Sequence, residues 1–279
     1  STPMLPKVRG TKKILEHRGL SIFSVLWRIE SGTWYRKRKR WQSKWIHPNV
    51  YGARQGHETW DSSWTLQARF EEAGQTGQIR TAAALDYTKY FDMLDVELEM
   101  ARLEHMGYPK RLAAMQRDLY KGLTIHIKGT GCYGKTMVPI NGLGQGCSLT
   151  LLSANAAITS EFNMLDEHEP EVEKGAFIDD RAFSSNSTAS LLGAIGEVIK
   201  MDDAMGQKNN VDKSKCLATS PEIKKKLEKE KVNGVELKVL NNFKLLVQQA
   251  VAGKGQDRQG PTAVTTTHLM LPTNIRIHI

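Results

Sequence analysis

The 279-residue chain is 40% hydrophobic and 25% charged, with a formal net charge of +9, the balance of a globular protein with material for one large domain or two modest ones. No apolar run approaches the roughly 18 residues a membrane span needs, and no signal-peptide pattern opens the chain, which argues against a membrane protein. The excess charge is lopsided, since residues 1–60 hold 13 Lys and Arg against three Asp and Glu whereas residues 61–279 hold 26 against 27. A basic region confined to the first fifth points to a polyanion such as nucleic acid; a solvated helix face or a localisation signal is the plainer alternative. Cys132, Cys147 and Cys216 form no Cys-x-x-Cys pair, against a disulfide framework or a structural zinc site. An intracellular setting, nucleus or cytoplasm, is expected. A start at Ser1 suggests a piece of something longer.

Residues 1–19 are polar and basic, and residues 20–45 read as mostly helical. Trp27, Trp34, Trp41 and Trp45 are spaced 7, 7 and 4 apart, which puts them on one face of a continuous helix. The stripe is either core or a platform for unpaired bases. Arg36, Lys37, Arg38, Lys39 and Arg40 lie in the same stretch. Five consecutive cations repel one another unless an anion is near, which favours nucleic-acid binding. A polar, glycine-containing joint at 71–77 is expected to separate this region from the next.

Residues 79–87 read as a buried strand closing on Asp86. Residues 95–105 read as an amphipathic helix with Asp95 as N-cap and Gly107 just past its end, and 109–120 as a second helix. Residues 123–128 alternate like a strand. A glycine-rich loop at 141–147 precedes a helix over 148–165. Residues 167–174 are acidic and turn-like, and 175–183 read as a hairpin with Asp179 and Asp180 at its tip. A helix over 189–205 is stopped by Gly206. A strand at 215–219, a basic helix start over 221–231 and a hairpin over 232–247 turning at Asn233-Gly234 follow. From about Gly253 the composition is polar and aperiodic, as expected of a disordered or truncated tail. This order implies an α+β fold with helices packed on one face of an antiparallel sheet.

A carboxylate at the end of a buried strand is costly unless it meets a cation. Paired aspartates at a hairpin tip are, taken alone, ordinary turn residues. If the strand ending in Asp86 neighbours the hairpin, the acids converge, and carboxylate oxygens suit Mg²⁺ or Mn²⁺. Two such ions stabilise the attacking and leaving oxygens of a phosphoryl displacement. With a basic arm, this outlines a nucleic-acid polymerase or nuclease.

Further segments stand in a telling order. Residues 18–28 open on Arg18-Gly19-Leu20 and end on Arg28. Tyr51-Gly52-Ala53-Arg54-Gln55-Gly56-His57-Glu58-Thr59 comes next, then Asp86-Tyr87-Thr88-Lys89-Tyr90-Phe91-Asp92. Gly142-Leu143-Gly144-Gln145-Gly146-Cys147-Ser148-Leu149-Thr150 is followed by Asn155. Phe177-Ile178-Asp179-Asp180 precedes Gly206, Asn210, Lys213 and Ser214, and Phe243-Lys244-Leu245-Leu246 closes the series. Over about residues 9–250 these resemble the reverse transcriptases of non-LTR, LINE-type retrotransposons, and more distantly those of group II introns.

The resemblance implies right-hand polymerase fingers at 1–75, a palm at 76–250, and a polar tail or truncated thumb at 251–279. It implies an RNA-directed DNA polymerase that extends a DNA primer on an RNA template with deoxynucleoside triphosphates, as part of a larger retroelement polyprotein. Asp86 and Asp179, supported by Asp180, would hold two Mg²⁺ or Mn²⁺ ions. Phe91 falls at the family's steric gate against ribonucleotides, though from spacing alone it is a core residue. Tyr87, Gln145 and Gly146 fall in the nucleotide pocket, where a glycine-rich turn is the plainer reading of the last two. Arg18 would touch the triphosphate. Lys213 would sit near the leaving pyrophosphate, with a solvated surface lysine as its alternative and Lys215 as competitor.

Several residues depart from the pattern. Ile178 replaces a small residue, Arg181 follows the paired acids and would compete with metal, Tyr90 stands for Ala, and Gly19 and Gly144 for Pro. A catalytically decayed relative that only binds nucleic acid is therefore an alternative. A viral-type RNA-dependent RNA polymerase is disfavoured by Ile178 and Phe91, where those enzymes place Gly and an acid.

Overall fold

The computed structural model describes residues 2–6, 17–19, 21–128, 133–233, 235–240, 242–245 and 248–251. Cys132 and the tail expected after Gly253 lie outside them.

Strands β1 (Thr2–Pro6) and β2 (His17–Gly19) lead to helix α1 (Val25–Gln42), where the Ser24 hydroxyl accepts from Trp27 N–H at 3.2 Å. Helix α2 (Thr59–Thr76) opens on a reciprocal Glu58–Asp61 capping box and stops at Gly77, whose φ of +71° is left-handed. The joint expected at 71–77 is thus helix through Thr76. Gly74 is carried inside the helix, and the left-handed Gly77 ends it.

Next come β3 (Thr81–Leu85), the one-turn α3 (Tyr90–Met93), α4 (Val96–His105) and α5 (Lys110–Lys121). Asp95 caps α4 by accepting from Leu98 N–H at 2.8 Å, and Gly107 (φ +87°) follows its end. The chain continues through β4 (Ile125–Lys128), β5 (Tyr133–Met137), α6 (Thr150–His168), β6 (Glu173–Phe177), β7 (Asp180–Ser185), α7 (Thr188–Ala204), β8 (Lys215–Ala218) and α8 (Pro221–Leu227). The hairpin expected over 232–247 is shorter: β9 (Lys231–Val232) folds onto β10 (Val235–Glu236), and β11 (Lys238–Val239) leaves to join β8. Strands β12 (Asn242–Leu245) and β13 (Gln248–Val251) pair with each other.

The central sheet has the order β11-β8-β3-β7-β6, antiparallel except where β11 runs alongside β8. Period-2 alternation sorts its residues between two faces. Ala83, Leu85, Phe183 and Cys216 join the main core with Phe162 and Leu165 of α6 and Leu191, Ile195 and Val198 of α7. Ala82, Ala182 and Leu217 face the other way, against Leu66 and Phe70 of α2. The sheet is therefore closed by α6 and α7 on one side, as the sequence implies, with α2 covering part of the other. A second sheet, β2-β1-β4-β5, joins the N-terminal strands to β4 and β5.

The tryptophan stripe packs half-buried against the core. Trp41 Nε1–H donates to the Met106 carbonyl at 2.9 Å, and its ring meets Trp45 at 5.2 Å and Tyr108 at 5.3 Å. Trp27 Nε1–H donates to Cys147 Sγ at 3.3 Å. Trp45 falls beyond the end of α1, so the continuous helix stops short of it. Among the described residues no helix is long and apolar enough to cross a membrane.

Candidate active site

Strands β3 and β7 pair through Leu85↔Arg181. One step further along each strand stand Asp86 and Asp180, with side chains on the face opposite to Leu85 and Arg181. The β6–β7 turn adds Asp179. The acids from 79–87 and from the hairpin are thus at the same end of adjacent strands, as the sequence requires if they act together. Burial, with the charges of Asp179 and Asp86 adding to it, pushes the Asp180 carboxyl up to about 7, while Lys213 works the other way.

Lys213 is delivered by backbone pairing. Thr88 N–H donates to the Lys208 carbonyl and Asn210 N–H to the Asp86 carbonyl, both at 2.7 Å. Ser214 faces Asp86 N–H with its hydroxyl at 3.3 Å. Lys213 Nζ then lies 3.2 and 3.4 Å from the two carboxylate oxygens of Asp86. Lys215, its competitor on sequence grounds, is the first residue of β8.

The turn carrying the paired acids is strained. Ile178 has φ +61°, a region a β-branched side chain rarely occupies. It is held by residues before α2. Val50 bridges Ala176, Ala176 N–H donates to Asn49 at 3.0 Å, and Tyr51 N–H donates to Ala176 at 2.8 Å. Gly52 then packs so tightly that a Cβ would sit 2.5 Å from Ile178 N. Asn155 Nδ2–H anchors Gly52 by donating to its carbonyl at 2.9 Å.

Phe91 is half-buried, edge-on to Tyr90 at 5.3 Å, and its carbonyl accepts from Leu143 N–H at 2.8 Å. The loop at 141–147 is thereby pinned beside it. Gln145 is half-buried on that loop, and Gly146 adopts φ +123° with Ser21 O only 2.6 Å from where a Cβ would be. Both precede α6 in turn conformation; the helix begins at Thr150, not at Ser148. A Cβ on Gly144 would overlap the Phe23 ring, which accounts for glycine at a position where proline is usual.

The reverse transcriptase (RNA-dependent DNA polymerase) family model matches residues 13–237. The chain belongs to this family.

No curated protein matches this chain by sequence. Among solved structures, a telomerase from Candida tropicalis, truncated of its C-terminal domain, superposes with a TM-score of 0.55 at 13% identity, covering 80% of this chain and 44% of that one. Telomerase from Candida albicans, complexed with a fragment of telomeric RNA, gives 0.52 at 10% identity over 81% and 37%. The likeness is one of fold, and this chain spans less than half the length of either relative.

Two expectations are corrected. Tyr87, expected in the nucleotide pocket, is buried beneath the sheet, with its hydroxyl 2.9 Å from Asp202 and 3.2 Å from Glu161. Arg181, expected to compete for the acids, points away from them into the same buried site, because successive strand residues alternate in direction. Neither Glu161 nor Asp202 had a signal in the sequence beyond being acids in apolar helices. Tyr90 fills the core in place of alanine, stacked on Tyr87 at 4.5 Å and donating to the Ala154 carbonyl at 3.1 Å.

Of the basic run, Arg36, Lys37, Lys39 and Arg40 are exposed and Arg38 is half-buried. Lys37 and Arg38 lie over the Trp34 ring, 5.2 and 5.7 Å from its centroid. Arg18 lies in β2, paired with Leu5; its side chain is outside the described residues.

Asp86, Asp179 and Asp180 offer hard oxygen donors of the kind Mg²⁺ and Mn²⁺ take. Like charges crowding a buried carboxyl are the setting a dication relieves. Among the described residues no three His, Cys, Asp or Glu side chains already converge as a ready-made metal site, so the donor chemistry fits while the ligand geometry would have to close on binding.

Proposed function

We propose that the protein is an RNA-directed DNA polymerase of the non-LTR, LINE type, related to those of group II introns, and part of a larger retroelement polyprotein. Residues 1–75 act as fingers and 76–250 as palm. The observation that supports this most is the placement of Asp86, Asp179 and Asp180 at the same end of the adjacent strands β3 and β7, close enough for Asp86 and Asp179 to raise the Asp180 carboxyl.

In this reading the three aspartates hold two Mg²⁺ or Mn²⁺ ions, which when bound activate the primer 3′ hydroxyl and neutralise the departing pyrophosphate. Phe91, pinned by its carbonyl to Leu143, presses its ring against the sugar and selects deoxynucleotides. Gln145 and Gly146 line the nucleotide pocket, and Arg18 contacts the triphosphate. Lys213 leaves Asp86 to meet phosphate oxygens. The exposed cations Arg36, Lys37, Lys39 and Arg40 track the template backbone, with Arg38 braced against Trp34.

The test is extension of a DNA primer on an RNA template with Mg²⁺ or Mn²⁺, by wild type and by Asp179→Asn. Extension by wild type alone is expected; extension that survives the substitution refutes the site. A non-catalytic nucleic-acid binder is the second reading. It draws on the Lys213–Asp86 ion pair, which satisfies the carboxylate without metal. Salt-sensitive RNA binding with no incorporation would establish it.

A further inference from the structure

Asp86 and Asp180 each have a strand neighbour pointing to the other face of the sheet, and those two neighbours meet. The Arg181 guanidinium carbon lies 3.7 Å from the Tyr87 ring centroid. Arg181 Nη1–H donates to Glu161 of α6 at 2.6 Å, and Arg181 Nη2–H to Asp202 of α7 at 3.1 Å and to Asn209 at 3.0 Å. Asn209 Nδ2–H returns to Asp202 at 2.8 Å, and the Tyr87 hydroxyl donates to Asp202. Arg181, Glu161 and Asp202 have no solvent exposure at all.

One guanidinium therefore ties together the ends of β3 and β7, two core helices and the segment that carries Lys213. A buried ion cluster is a poor way to gain stability, since apolar residues of the same volume do as well or better. What it supplies is a single allowed geometry. A guanidinium fork has fixed directions, so the strand ends cannot slide or splay without breaking several charged hydrogen bonds together. The strand ends it locks are those bearing the acids, one residue away in each case.

We propose that Arg181, Tyr87, Glu161, Asp202 and Asn209 form a positioning centre that fixes the separation of Asp86 from Asp179 and Asp180 during nucleotide transfer. The proposal rests on the polymerase reading and adds to it residues that touch neither metal nor substrate.

Arg181→Met alone strands two buried acids and risks unfolding, so the informative variant is Arg181→Met combined with Glu161→Gln and Asp202→Asn, which keeps volume and removes the charges together. Arg181→Lys is the conservative partner. Each is checked for folding by thermal denaturation, then assayed for primer extension, and separately titrated with Mn²⁺ alone by electron paramagnetic resonance. The folded triple variant is expected to lose about tenfold or more in kcat with nucleotide KM within about twofold, because misplaced groups slow chemistry more than binding. Its Mn²⁺ affinity should drop several-fold, and Arg181→Lys should recover part of both. A folded triple variant with wild-type kcat and wild-type Mn²⁺ affinity overturns the proposal. If the wild type fails to extend primers yet binds Mn²⁺, the polymerase reading falls while the Mn²⁺ comparison still decides this one. If the wild type does neither, both fall.

Discussion

Gly52→Ala is the sharpest probe of how the β6–β7 turn is held. The added methyl would lie 2.5 Å from Ile178 N and 2.6 Å from Ile178 Cγ1, with the Phe177 carbonyl carbon at 3.2 Å. Ordinary contact begins near 3.4 Å, so one side must give by roughly 0.9 Å in an interior packed to crystal-like density. Neither side gives easily. Gly52 is anchored by Asn155, and the obstructing atom is backbone of a residue already at φ +61°. Overpacking of this kind costs about 1–3 kcal/mol. At about 2–4 °C per kcal/mol for a chain of this size, the melting temperature should fall by roughly 2–12 °C. Because the shift lands on the residue next to Asp179, the folded fraction should also extend primers at least about tenfold more slowly. Gly74→Ala is the control. Nothing lies within 4 Å of its Cβ position and it sits inside α2, so it should stabilise by about 0.5–1 kcal/mol. Differential scanning calorimetry and single-turnover extension read both variants. A Gly52→Ala protein as stable and as active as wild type would refute the claim that this contact holds the turn.

Other outcomes follow from the same structure. Burial pushes Asp180, Glu161 and Glu99 each up to about 7. In the unfolded chain carboxyls release their protons near pH 4, so between about 4 and 7 the folded state holds protons the unfolded state has lost. Metal-free protein should therefore lose stability as pH rises through that window, and Asp180→Asn should flatten part of the slope in a melting-temperature series. Lys213→Ala should change stability by at most about 1 kcal/mol, its ion pair being exposed, while lowering the extension rate. Replacing Arg36, Lys37, Lys39 and Arg40 with Gln should weaken RNA binding and reduce the slope of log affinity against log salt by about 0.7 per lost phosphate contact, as fluorescence anisotropy would show. Phe91→Ala should raise ribonucleotide incorporation relative to deoxynucleotide incorporation in a competition assay.

Legibility in the sequence followed the range of the interactions. Helices α4 and α5 were readable because Asp95, Gly107 and their apolar spacing are local signals. The β6–β7 hairpin was readable because two strands and their turn are contiguous. Helix α2 was misjudged at its end because Gly74 looks like a stop and only tertiary packing through Leu66 and Phe70 shows otherwise. Asp86, Asp179 and Asp180 stand at the strand ends that the motif order implies, but their neighbours Tyr87 and Arg181 point to the opposite face of the sheet. Period-2 alternation says that adjacent residues part ways, but not which side the helices cover. Glu161 and Asp202 become conspicuous only when α6 and α7 are laid on the sheet. The parallel pairing of β11 with β8 and of β1 with β4 joins distant segments and leaves no local trace.

The pairing of residues 49–51 with Ala176 has a second consequence. Strand β6 is the last in its sheet, and an uncovered last strand is a template for another chain. Asn49, Val50 and Tyr51 use up backbone groups of Ala176 near the end of β6, and Arg69 and Arg80 converge on Glu173 at its start. The stretch before α2 thus doubles as a guard against strand addition. A protein begun at Thr59 would retain Asp86, Asp179 and Asp180 and still be expected to self-associate through β6, its solubility limited by an exposed edge.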